Sequence, residues 1–114
     1  MGYPGRSHFR FYQGDTARST ITWRVKGEPV DLDGYTAKMQ VRSGSPAASP
    51  VLELTSGSGI TLGSAGEISI TVPAATTAAL DPEIYIYSLE LTSSGGEVTT
   101  LIAGQLTVTQ EVTR

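Results

Sequence analysis

Among 114 residues the chain carries one histidine, His8, and neither cysteine nor asparagine. A catalytic imidazole needs a nucleophile or a second acid–base group within reach, and no cysteine or Gly-x-Ser-x-Gly elbow accompanies His8. It therefore reads as an exposed or assembly-contact residue. A histidine- or thiolate-based metal centre lacks the donors. Asp31-Leu32-Asp33-Gly34 has the alternating carboxylates that open a calcium loop, but it lacks the third ligand and its glycine comes two positions early. The expected role is a turn, with Leu32 as a core peg between the aspartates. Gly57-Ser58-Gly59 lacks the Gly-Lys-Ser/Thr of a phosphate loop and reads as another turn. The missing asparagine also removes N-glycosylation sites and the lysine–asparagine isopeptide. The expectation is a non-enzymatic chain with no catalytic residue, metal or cofactor.

Composition narrows the partners. The net charge of −3 gives little attraction for a polyanion. Charge is nonetheless uneven: seven of the eight basic residues, but only four of the eleven acids, lie at or before Arg42. Complementary strands within one fold account for this more simply than a bipolar surface, although a head-to-tail assembly is the alternative. Arg18, Arg24, Lys26, Lys38 and Arg42 are expected to line the outer faces of two adjacent strands. With no interleaved aromatics to stack bases, that row is a solvated sheet face and not a nucleic-acid site. No apolar run resembles a signal peptide or a membrane span, so a cytoplasmically made product without membrane association is expected.

The elements that position these residues are strands. A chain of this length buries one core and makes one domain. The expected division is an N-terminal arm over residues 1–8, a single β domain over 9–110 and a tail over 111–114. Phe9 and Phe11 flank Arg10 in a first strand, and residues 13–16 turn it back. Over 17–26, Ala17, Ser19, Ile21, Trp23 and Val25 form one row, with Trp23, the only tryptophan, at its centre. Val30 and Leu32 lead through Gly34 into strict alternation, with Tyr35, Ala37, Met39 and Val41 facing inward. Strands are expected at 51–55, 60–62 and 67–72, after a polar loop over 43–50. Residues 73–80 are the only helix-like segment, too short to stand unpacked, and read as a crossover pinned by Leu80. The strand 84–92 follows with Tyr85, Tyr87, Leu89 and Leu91 in one row. A last strand covers 97–109, and a bulge at Gly104 is expected where its apolar parity resets.

Seven to nine short strands with turns at regular spacing and one short helical crossover predict an all-β, immunoglobulin-like antiparallel sandwich. Tyr85, at the head of a late strand just after a crossover, stands where that fold places its tyrosine corner, and Trp23 is expected in the mid-core. Ile84 and Ile86 lie opposite the tyrosine row and should point outward. Either the crossover or the arm covers them, or they form a partner-binding patch. With Tyr3, His8 and Arg10, they are the candidate assembly contacts.

Four stretches stand out: Tyr12-Gln13-Gly14-Asp15-Thr16, Pro29-Val30-Asp31-Leu32-Asp33-Gly34-Tyr35-Thr36-Ala37, Ile84-Tyr85-Ile86-Tyr87-Ser88-Leu89-Glu90-Leu91 and the closing Glu111-Val112-Thr113-Arg114. Together they resemble the immunoglobulin-like N-terminal domain of phage baseplate upper proteins and related prophage tail proteins. The resemblance spans nearly the whole chain from Phe9, and its motifs are structural. It implies a non-enzymatic virion component of a tailed phage, made in the host cytoplasm. Such a subunit binds other phage structural proteins, and homo-oligomers in the particle are expected. Larger relatives carry further C-terminal receptor-binding regions, so the length here points to a tail or baseplate adaptor or accessory subunit. A capsid decoration protein is the alternative within that class. A glycan-binding module on the virion surface is the alternative outside it, with Tyr3 and Tyr12 as the aromatics available for stacking.

Overall fold

Alternation becomes burial over Thr36–Arg42: Ala37, Met39 and Val41 are buried while Thr36 and Lys38 are exposed. The same parity holds over Ile84–Thr92, where Tyr85, Tyr87, Leu89 and Leu91 turn inward. The computed structural model describes residues 5–6, 9–44 and 49–110. In chain order its elements are β1 (Gly5–Arg6), β2 (Phe9–Tyr12), β3 (Ala17–Thr22), β4 (Arg24–Val25), β5 (Glu28–Pro29) and β6 (Thr36–Arg42). There follow β7 (Pro50–Ser56), β8 (Gly59–Leu62), β9 (Glu67–Val72), α1 (Ala74–Ala78), β10 (Ile84–Thr92) and β11 (Val98–Thr109).

The main ladder runs β1-β11-β10-β6-β7-β8-β9-β3, with β2 added to β11 in parallel. It holds nine strands, and β4 and β5 form a separate hairpin, so the described strands number eleven, above the seven to nine expected. The β7–β8 joint is a short parallel contact, Thr55 to Gly59 and Ser56 to Ile60, at which the chain passes from one layer to the other. The inward rows of β8 and β9 (Ile60, Ile68, Ile70, Val72) meet those of β6, β10 and β11 in one apolar cluster. Each such aliphatic side chain contributes roughly 1.5–3 kcal/mol by leaving water.

Two expectations need correction. The strand beginning at Ala17 stops at Thr22, because its partner β9 begins at Glu67, opposite Thr22. Trp23 then leaves the sheet: its N–H donates to the Gly66 carbonyl at 2.9 Å and its own carbonyl accepts the Val30 N–H at 3.0 Å. The indole is half-buried and meets Tyr35 edge-on, ring centroids 5.8 Å apart, so it flanks the core instead of filling its centre. Lys26 and Gly27, both at positive φ, turn β4 into β5. The second correction concerns Gly104, which stands in register opposite Tyr87. The parity break falls at Leu101: Leu89 pairs with Ile102 and Glu90 with Thr100, leaving Leu101 as the extra residue.

The crossover is pinned by Leu80, as expected, and also by a polar clamp that the sequence reading missed. The Thr77 hydroxyl, fully buried, accepts the Gly14 N–H at 3.1 Å and donates to the Asp15 carbonyl at 2.7 Å. Gln13 Nε2 donates to the Leu80 carbonyl at 2.8 Å. Thus the turn between β2 and β3 holds a five-residue helix that could not stand alone.

Tyr85 makes the tyrosine corner: its hydroxyl donates to the Asp81 carbonyl at 2.7 Å. Burial, reinforced by the Glu83 and Asp81 carboxylates, pushes its pKa from 10.0 up to about 12. Below pH ~10 both folded and unfolded chains hold this proton. As pH rises from there toward 12, only the unfolded chain releases it, so the stability it supplies is lost across that window. Tyr85→Phe should cost about 1–2 kcal/mol at neutral pH by leaving the Asp81 carbonyl unpaired. It should also lose stability less steeply than the parent above pH ~10. Urea titrations at both pH values measure this, and parallel alkaline slopes would contradict it.

Candidate assembly surface

The outward rows of β2, β11, β10, β6 and β7 build one broad sheet face. Arg10, Thr107 and Ile84 stand side by side across β2, β11 and β10. The next row places Ile86 between Gln105 and Arg42, and the one after it runs Ala103, Ser88, Gln40, Glu53. Beyond these, Glu90 lies between Thr100 and Lys38. Three of the five expected contact residues, Arg10, Ile84 and Ile86, therefore share a face. Tyr3 and His8 lie outside the described residues.

Ile84 is 56% exposed, so the crossover does not cover it. α1 docks instead on the β2–β3 turn through Thr77. From the expected arm, Gly5 and Arg6 add to β11 opposite Ile102 and Ala103, and the other arm residues lie outside the described set. Ile86 is half-buried and lines a shallow depression of about 200 Å³ with Gln40, Arg42, Tyr87 and Ser88. Beside it, Arg42 Nη2 donates to Gln40 Oε1 at 2.6 Å, and Gln40 Nε2 in turn donates to Glu53. This chain holds the polar groups in place next to the isoleucine before any partner arrives. An apolar centre with a preordered polar rim is the anatomy of a protein-binding patch.

The charge pattern resolves in the same way. Lys38 stands opposite Glu90 on β10, so the basic and acidic halves of the sequence interleave across strands. The expected basic row does not form: Arg18 lies on β3 and Arg24 on the β4–β5 hairpin, whereas Lys38 and Arg42 lie on β6 in the other layer. Asp31 and Asp33 shape a turn, the Asp31 carboxylate accepting the Asp33 N–H at 3.0 Å. Among the described residues no group of three or more histidine, cysteine, aspartate or glutamate side chains is placed to hold a metal ion.

A larger cleft, about 520 Å³, opens between the β7–β8 turn and the start of α1. Leu52, Leu54 and Ile60 floor it and Ser58, Thr61 and Thr76 supply hydroxyls, with no aromatic ring in its lining. Tyr12 is exposed but lies on β2 at the far side of β11, so it offers this cleft no stacking platform. Among the described residues no helix is long and apolar enough to cross a membrane.

No protein-family model matches the chain, and no curated protein matches it. Among solved structures it is similar to the extracellular domain of the voltage-gated sodium channel β4 subunit, described as a parallel homodimer with a role in cell–cell adhesion. The identity is 12%, the coverage 98% of each chain and the TM-score 0.50. The fold is immunoglobulin-like. Strand order, tyrosine corner and this likeness agree on it. A family 123 glycoside hydrolase from Clostridium perfringens (13% identity, TM-score 0.41) is matched over 96% of this chain but 24% of its own. Drosophila OTK extracellular domains 3–5 (17% identity, TM-score 0.34) are matched over 96% of this chain and 34% of theirs.

Parity along the strand is enough to point Ile84 and Ile86 outward. The Arg42–Gln40–Glu53 chain carries no such signal, because its members lie on two strands brought into register only by folding.

Proposed function

We propose that this immunoglobulin-like domain is a non-enzymatic structural subunit of a tailed-phage virion, an adaptor or accessory component of the tail or baseplate. It acts through protein–protein assembly, with phage structural proteins and further copies of itself as partners. The observation that carries the assembly role is Ile84, 56% exposed beside Ile86 on an ordered sheet face. The phage setting rests on the resemblance of the Tyr12–Thr16 turn, the corner over residues 29–37 and the β10 strand. Use of this fold for self-association has a precedent in the sodium-channel β4 ectodomain, described as a parallel homodimer.

The test is incorporation. Particles purified from cells producing the protein should contain it at a fixed ratio to tail proteins. Replacing Ile84 and Ile86 together with glutamate should lower that ratio at least about tenfold, since burying either charge at an interface costs more than 1.4 kcal/mol. Ile84 is exposed and Ile86 half-buried on the outer face, and a thermal melt of the variant checks that the domain remains folded. Equal incorporation of the variant, or a parent protein missing from particles, would refute the reading.

A further inference from the structure

β3 ends the ladder with β9 on one flank and no described strand on the other. The strand before it, β2, joins the opposite layer by pairing with β11. A cleft of about 270 Å³ lies between the two strands, lined by Phe9, Phe11, Ala17 and Ser19 and flanked by Arg10 and Arg18. Burial records the gap. Ala17, Ser19 and Ile21 are only half-buried, whereas Val72, Ile70 and Ile68, their partners on β9, are buried. Edges are usually protected by charged side chains, proline, a bulge or inward charge. β3 has only the outward Arg18: it holds no proline, and its register with β9 is regular from Ala17 to Thr22.

We propose that β3 pairs antiparallel with β3 of a second copy about a two-fold axis through Thr20, continuing the β8-β9-β3 layer across two molecules. Parity restricts the axis to a residue, because directly opposed residues must share a face; an axis through Ile21 would oppose Arg18 to Arg24, whereas one through Thr20 avoids that pair and covers Trp23. About Thr20, that residue faces itself, Arg18 faces the partner's Thr22, and Ser19 faces the partner's Ile21. Ala17 then lies against the partner's Trp23. No like charges are opposed, small residues meet large ones on the inner face, and the half-buried indole gains cover. The strand is self-complementary, which is what an isologous contact requires. This edge is separate from the outer face and stands whether or not that face binds a phage partner.

Sedimentation over a wide concentration range should show a monomer–dimer equilibrium. Thr20→Arg opposes arginine to arginine at the axis and should abolish the dimer; since Thr20 is exposed, it should not lower the melting temperature measured at concentrations where the parent is monomeric. The chain has no cysteine, so single thiols report register cleanly. Opposed Cα atoms in such a ladder lie about 4.5–5.5 Å apart, within disulfide reach. Thr20→Cys should therefore link two copies under mild oxidation. Arg18→Cys, with its two copies roughly 13 Å apart, should not. The proposal is overturned by a parent that stays monomeric, by a dimer that survives Thr20→Arg, or by equal cross-linking of both thiols. A monomer that binds only a different protein's strand at this edge would also overturn it.

Discussion

Leu32→Asp is expected to leave the domain unfolded at room temperature. Leu32 is 5% exposed, at the corner between the β4–β5 hairpin and β6, and its carbonyl accepts the Tyr35 N–H at 3.0 Å. A carboxylate there either stays ionised without a partner or takes up a proton, and both cost several kcal/mol. A domain of this size has about 5–15 kcal/mol to lose, and the turn that launches β6 goes with it. Asp31→Ala, one residue away, removes only the exposed hydrogen bond to the Asp33 N–H and should cost about 1 kcal/mol or less. Circular dichroism melts of the two variants measure the contrast. A cooperative transition in Leu32→Asp near that of the parent would show that the corner is not part of the core.

Gly66→Ala should be nearly as damaging, for a reason that lies in the backbone. Gly66 is buried at φ +76, and a Cβ there would stand 2.5 Å from the Trp23 carbonyl oxygen and 3.2 Å from the Val30 nitrogen. Neither can step aside. The Trp23 N–H is bonded to the Gly66 carbonyl, and the Trp23 carbonyl to the Val30 N–H. The substitution therefore combines left-handed strain, about 1–2 kcal/mol, with a clash that separates the β8–β9 turn from the β4–β5 hairpin. The expected loss is about 3 kcal/mol or more, roughly 10 °C or more in melting temperature. Gly57 is the control. Its φ is +88 but nothing lies within 4 Å of its Cβ position, so Gly57→Ala should show the strain alone. Equal losses in the two variants would remove close approach as the cause.

Comparison of these residues shows what kind of information the sequence holds. Period-two alternation located β6 and β10, and with them the outward Ile84 and Ile86, because parity depends only on neighbours along the chain. Tyr85 was legible for a similar reason, its acceptor lying four residues upstream. Gly66, Thr77 and Gln13 were not legible in their roles. Gly66 sits in the turn between β8 and β9, and the backbone it touches is more than thirty residues away in sequence. Thr77 bonds the turn between β2 and β3, some sixty residues earlier. The misplaced bulge has the same origin. Parity shows that a reset occurs between Leu101 and Leu106, but only the pairing with β10 shows where the extra residue sits. Trp23 was drawn into the core because its parity fitted, and the shorter β9 ended that pairing first.

A reconstruction by electron cryo-microscopy of virions containing the protein tests the central claim most directly. Domain density is expected in the tail or baseplate, with the sheet face carrying Arg10, Ile84 and Ile86 pressed against a neighbouring subunit and Ile84 withdrawn from solvent. Particles in which the domain is present with that face open to solvent would contradict it.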